Sequence, residues 1–171
     1  MIASPWTVEI QMQGGGKKTL STRSIVIAAG GRPFVPPIPR IEDTGYYTSD
    51  TLWDLRVLPR RLVVLGGGPI GCELAQAFQR LGAQVTQVEM LPRLLVREDP
   101  EVSEMVADKF RAEGVDLRLA HRAVRIERNT LICEHDGRES RVEFDALLCA
   151  LGRVPNTKGY GLEELGIPVT K

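Results

Sequence analysis

Gly66, Gly68 and Gly71 follow directly on the apolar run Leu62, Val63, Val64 and Leu65, and an acid, Glu89, lies 18 residues beyond Gly71 at the close of the next apolar run. Residues of these types at this spacing suit one task, the grip of a dinucleotide. Gly66 permits a sharp exit from a strand, Gly68 lets backbone approach a pyrophosphate, and Gly71 allows a helix to pack tightly on that strand. Gly67 and Ile70 fill the variable positions of the segment. The helix that follows presents unpaired N–H groups and a partial positive charge to phosphate. Pro69 falls at its first position, where a missing N–H costs nothing.

Glu89 selects the nucleotide. A carboxylate there accepts hydrogen bonds from the adenosine ribose hydroxyls. A 2′-phosphate would meet it as a like charge, at roughly 4 kcal/mol per charge pair for ~4 Å and an effective dielectric near 20, before screening. Met90 and Leu91 bring no cation, and Arg93 is the nearest candidate to offset the repulsion. NAD(H) is therefore expected over NADP(H).

The elements that must position these residues are legible around them. Ile70, Leu74, Phe78 and Leu81 recur at helical spacing, Gly82 ends that helix, and Gln84 to Val88 reads as a second strand. Asp99 and Pro100 suit the start of another helix with Val102, Met105, Val106 and Phe110 as its buried stripe, stopped by Gly114. Val115 to Leu119 reads as a third parallel strand. Ala123 to Arg128, Thr130 to His135 and Ser140 to Phe144 alternate, with turns at Asn129 and Asp136-Gly137, as an antiparallel meander. The run from Asp145 to Leu151 is apolar after its first residue, as a buried parallel strand is. It leads into a loop, Gly152 to Asn156, at the strand's carboxyl end.

Upstream, Thr7 to Met12 and Leu20 to Ala28 read as two strands of a hairpin around a Gly14 to Lys18 turn. Pro33 to Pro39 reads as a stiff extended linker, and Ser49-Asp50 opens a short helical segment with Leu52, Trp53 and Leu55.

Composition excludes several classes. The 171 residues carry 22 basic and 22 acidic side chains, so nothing in the balance favours nucleic acid or an anionic membrane. No apolar run is long enough to span a bilayer and no secretory signal is evident, which leads to the expectation of a cytoplasmic protein. Cys72, Cys133 and Cys149 are too scattered for a disulfide framework or a metal cluster and are expected as small buried hydrophobes. Cys72 alone lies where a helix N-terminus could stabilise a thiolate. His121 and His135 are expected at the surface, with no role in metal binding or catalysis.

Three segments in this order, SIVIAAGGRPFVPPIP, GGGPIGCELAQAFQRLGAQVTQVE and LLCALGRVPNT, resemble the flavin-dependent pyridine nucleotide–disulfide oxidoreductases. The resemblance implies an α/β Rossmann-like, three-layer NAD-binding domain with a parallel sheet and a β-meander crossover, flanked by remnants of an FAD domain. It implies residues 1–40 as the end of a first FAD segment, 41–152 as the NAD(H)-binding domain and 153–171 as the return to the FAD domain. Matched positions add Val124 on the adenine side of the pocket and Ala150, Leu151, Gly152 and Arg153 near the nicotinamide. They also place Gly30 near the FAD phosphates and Glu73 beside a lysine next to the flavin. The family's redox CxxxxC pair, first FAD fingerprint and dimerisation domain are not in this sequence, so FAD belongs to a longer, homodimeric parent.

The resulting expectation is a fragment of an oxidoreductase that binds NAD(H), contributes no catalytic or metal-ligating residue of its own and turns nothing over alone. A stand-alone NAD(H)-sensing module is the alternative, and a flavin-free dehydrogenase lacks any suitable acid or base.

Overall fold

The computed structural model describes residues 1–169, which form two compact units, Met1–Arg32 with the residues from Val154 onward, and Pro33–Arg153. In the smaller unit β1 (Ile2–Ser4), β2 (Thr7–Gln11) and β3 (Lys17–Ser21) form an antiparallel sheet in that order. The chain leaves that unit through β4 (Gly31–Pro33). The expected strand from Leu20 to Ala28 does not form beyond Ser21. Pairing with β2 ends at Ser21, and residues 22–30 belong to no strand, because the pairing register carries β3 back to Lys17, opposite Gln11.

The larger unit begins with the segment expected as a stiff linker, which instead packs: Ile38 is buried, and the Pro39 carbonyl accepts a hydrogen bond from the Ile126 N–H at 3.0 Å. Two short 3-10 turns, Ile41–Thr44 and Leu52–Asp54, flank β5 (Tyr47–Thr48). Then come β6 (Arg61–Leu65), α1 (Pro69–Leu81), β7 (Gln84–Val88), α2 (Pro100–Ala112) and β8 (Asp116–Arg118). A meander of β9 (Arg122–Glu127), β10 (Thr130–His135) and β11 (Arg138–Glu143) leads into β12 (Ala146–Cys149). The chain passes on through β13 (Arg153–Pro155), a short strand where a loop was expected.

Five parallel strands in the order β5-β12-β6-β7-β8 make the central sheet, with the meander as a separate antiparallel sheet. The period-two alternation of side chains divides the core in two. Leu62, Val64 and Leu148 join Cys72, Ala75 and Phe110 on the helix side, while Val63, Leu65, Leu147 and Cys149 join Ile126, Leu131 and Val142 on the meander side. Both faces of β6 and β12 are covered, which is why their sequences are continuously apolar. The result is the Rossmann-like α/β fold that the sequence implies.

The buried stripes of both helices differ from expectation. On α1 the buried residues are Gly71, Cys72 and Ala75, with Leu74 and Phe78 half-buried and Leu81 exposed. On α2 they are Ser103, Ala107 and Phe110, and Met105 is 71% exposed. Small residues face the sheet because they let the helix axes come close, and the larger side chains splay to the flanks. Gly82 ends α1 in the left-handed region at φ 104°, as expected.

Glu113, just past α2, ties the helices together. Its carboxylate accepts from Arg80 Nη2 at 2.6 Å, Gln76 Nε2 at 3.0 Å and Lys109 Nζ at 3.2 Å. The Arg80 guanidinium, foremost among these, holds the Glu113 carboxyl down at about 2. A carboxyl depressed in the folded state stabilises above its unfolded pKa, and that contribution is lost as pH falls toward the folded value. Glu113→Gln is therefore expected to melt below the wild type at pH 7 and to converge with it as pH approaches 2, as thermal melts across that range would show.

Candidate functional site

The glycine segment lies where β6 gives way to α1. Gly66 has φ +110°, and a Cβ there would collide with the Ala150 carbonyl. A Cβ on Gly71 would collide with the Gly66 carbonyl, so strand end and helix start touch through backbone alone. Gly67 is crowded as well: a Cβ would stand 2.8 Å from Leu94 Cδ2 and 3.0 Å from Glu89 Oε2. Gly68 caps α1 in extended conformation, Pro69 is at the first helical position, and Ile70 is half-buried behind it. Among the described residues the N–H groups of Gly68 and Ile70 have no hydrogen-bond partner, as the opening turn of a helix requires.

Glu89 follows β7 immediately and bends back over this loop. Its Oε2 accepts from the Gly67 N–H at 2.5 Å and its Oε1 from the Leu91 N–H at 2.7 Å. A carboxylate offers about four lone-pair positions, so two remain for sugar hydroxyls. Arg93, the candidate counter-charge, is committed elsewhere. Its guanidinium donates to the Glu98 and Val96 carbonyls at 3.0 and 2.9 Å and to Ser103 Oγ at 3.3 Å.

The other expected positions lie as follows. Val124 is half-buried on β9, three residues past His121, whose N–H donates to the Glu89 carbonyl at 2.9 Å. Ala150 and Leu151 border Gly66, with Leu151 Cδ2 3.4 Å from where its Cβ would be. The Gly152 carbonyl accepts from the Phe34 N–H at 2.9 Å, and Arg153 donates to Ser49 Oγ at 3.0 Å and Asp50 Oδ1 at 2.8 Å. The Arg153 hydrogen bond holds the Asp50 carboxyl below its ordinary value.

Glu73 is exposed on α1 and lines a separate cleft of about 500 Å³ between α1 and α2, beside Cys72, Met105 and Phe110. Gly30, in the smaller unit, has φ +67° and open space around it, and its carbonyl accepts from the Asn156 N–H at 3.0 Å.

Two features escaped the sequence reading. Gln87 is wholly buried on β7 and donates from Nε2 to the Gly66 carbonyl at 2.9 Å. A lone amide between Val85 and Val88 was the available signal. The second is the histidine pair. His121 is half-buried, not at the surface, and its ring stacks on His135 at 4.5 Å between centroids and 8° between planes.

All three cysteines are free and buried, and burial governs their thiols. It pushes the Cys72 and Cys133 thiols up to about 11 and Cys149 to about 12. At Cys72 this outweighs any help from the helix N-terminus. The folded chain is expected to resist a soluble disulfide reagent at pH 8, and all three thiols should react once it is denatured. Rapid native labelling of Cys72 would contradict this.

Comparison with known proteins bears on the geometry. The family described as pyridine nucleotide-disulphide oxidoreductase matches residues 3–171. The chain belongs to that family. A mercuric reductase of Staphylococcus aureus is 35% identical over 166 residues, covering 95% of this chain and 30% of that protein. A mitochondrial dihydrolipoyl dehydrogenase of Dictyostelium discoideum is 33% identical over 178 residues, covering 99% and 36%. Among solved structures, the HOCl-induced flavoprotein disulfide reductase RclA of Escherichia coli superposes with a TM-score of 0.80 at 35% identity, covering 96% of this chain and 38% of its own. This chain thus spans about a third of the length of the relatives it matches. No helix among its described residues is long and apolar enough to cross a membrane, and none of their His, Cys, Asp and Glu side chains cluster as a metal site.

Proposed function

We propose that this chain is the NAD(H)-binding part of a flavoprotein oxidoreductase, and that in the whole protein NADH held here passes hydride to FAD and electrons go on to a disulfide or other acceptor. One observation carries the reading. A single short loop combines the unpaired amides of Gly68 and Ile70 with a carboxylate, Glu89, already aimed across it. Amides at a helix start suit a diphosphate, and the two remaining lone-pair positions of Glu89 suit the 2′- and 3′-hydroxyls of the adenosine ribose. The collisions awaiting a Cβ at Gly66 or Gly71 fit a loop drawn tight enough to bring backbone to phosphate. With the Arg93 guanidinium turned to carbonyls and Ser103, Glu89 forms no ion pair among the described residues, which favours NAD(H) over NADP(H).

Ala150 to Arg153, at the carboxyl end of β12, are assigned to the nicotinamide side, and Val124 to the adenine side. Bound flavin would supply the electron-accepting chemistry, and this chain's residues supply binding and orientation. Residues 1–40 and 153–171 are assigned to the flavin-binding part of the parent, with Gly30 toward its phosphates and Glu73 toward a lysine beside the flavin. Residues 170 and 171 lie outside the described structure. Trp6, Val26 and Ile27 of the smaller unit are exposed, Val26 at 88%, which favours a surface completed by further protein over a stand-alone sensor.

Calorimetric titration of the 171-residue chain tests the reading. NADH is expected to bind at one site at least tenfold more tightly than NADPH, with no turnover. Absence of NADH binding would overturn the proposal, and tighter NADPH binding would overturn the role of Glu89.

A further inference from the structure

Gln87 occupies an interior strand of the central sheet, between β6 and β8, and is 0% exposed. An amide in that position is expensive unless hydrogen-bonded. Its Nε2 donates to the Gly66 carbonyl at 2.9 Å and lies 3.7 Å from Cys72 Sγ, while its Oε1 has no partner among the described residues.

The Gly66 carbonyl is the atom that forbids a side chain at Gly71, and Gln87 Nε2 lies 3.4 Å from the same forbidden Cβ position. This carbonyl is therefore enclosed between strand and helix, and Gln87 is the donor that satisfies it. The carbonyl of Gly66 and the N–H of Gly67 belong to one peptide plane. Gln87 holds its oxygen, and Glu89 holds its N–H at 2.5 Å. Residues two apart in extended chain share a face, so Gln87 near the end of β7 and Glu89 just past it reach the two ends of that plane from one row.

We infer that Gln87 is a positioning residue for dinucleotide binding, locking the Gly66–Gly67 peptide from beneath so that Glu89 stays aimed at the ribose. The inference rests on the nucleotide reading above. Glycine on both sides makes rotation of this peptide easy, so its orientation must be held from outside. Rotated, it would turn the Gly66 carbonyl toward the Glu89 carboxylate and leave the Gly67 N–H without its acceptor. The carboxylate would be driven from the sugar, and the loop below the diphosphate would lose its single conformation.

Gln87→Leu separates this role from core filling, because leucine occupies similar volume without the donor or the unpartnered oxygen. The variant chain is expected to melt close to the wild type, because removing the unpartnered Gln87 oxygen offsets the loss of the donor to the Gly66 carbonyl. Its affinity for NADH should fall about tenfold, with an equal loss for ADP-ribose, and the preference over NADPH should narrow. The Gly67 amide resonance should also move away from its carboxylate-bonded position. A folded Gln87→Leu chain, or Gln87→Met should leucine prevent folding, that binds NADH as the wild type does would overturn the inference and leave the nucleotide reading intact. Should neither variant fold, the wild type decides: the Gln87 side-chain amide resonance must shift on saturation with NADH, and an unmoved signal overturns the inference. A wild-type chain that does not bind NADH overturns the reading beneath it, and the inference with it.

Discussion

Gly71→Ala is expected to lower stability by about 3 kcal/mol and to weaken NADH binding at least 100-fold. The added methyl would fall inside the Gly66 carbonyl, which is backbone and cannot rotate away as a side chain could. Either α1 moves off the end of β6 or the Gly66 peptide turns. Both responses disturb the amides of Gly68 and Ile70. For a chain of this size the stability loss corresponds to a fall in melting temperature of roughly 10 °C. Gly68→Ala is the control, since a Cβ there meets open space within the chain. It should melt like the wild type and still lose affinity, because the space it fills is the one assigned to the diphosphate. Thermal melts with parallel NADH titrations separate the two effects. Equal melting and equal affinity for Gly71→Ala and the wild type would refute the packing argument.

Glu89→Gln is expected to reduce the NADH-over-NADPH preference by about 100-fold. The charge repulsion of roughly 4 kcal/mol estimated above shrinks under solvent and salt, and about 2.7 kcal/mol corresponds to that factor. NADH itself should bind about tenfold more weakly. Glutamine keeps one acceptor oxygen, which can serve the Gly67 N–H or the Leu91 N–H but not both, whereas the carboxylate serves each with a separate oxygen. Glu89→Ala should weaken NADH further and leave the loop without its tie. Paired titrations with the two nucleotides read the ratio directly, and a ratio unchanged by either substitution would remove Glu89 from nucleotide selection.

The sequence made the central βαβ unit legible because its constraints are local. A glycine is demanded by contact between adjacent backbones, and a continuous apolar run by burial on both sheet faces, as at β6 and β12. The meander's turns were readable for the same reason. Helix faces were less so: Leu81 and Met105 fit the apolar period yet are exposed, because Ala75 and Ala107 allow closer approach to the sheet. The end of β3 depends on cross-strand register, which no local pattern carries.

At the candidate site, Glu89 was visible from its position at a strand end, but its hold on the Gly67 N–H was not. That contact joins residues 22 apart through a fold the pattern only implies. Gln87 was invisible for a sharper reason. Its partner is a backbone carbonyl, and backbone leaves no mark in the residue types. The histidine stack likewise depends on cross-strand register: β9 pairs with β10 so that Arg122 lies opposite Glu134, which brings the adjoining His121 and His135 together.

The most direct measurement is a crystal structure of the chain with NADH. The diphosphate is predicted on the N–H groups of Gly68 and Ile70, with the adenosine ribose hydroxyls on the Glu89 carboxylate. A nucleotide bound elsewhere on the chain, or one whose ribose lies out of reach of Glu89, would contradict the account.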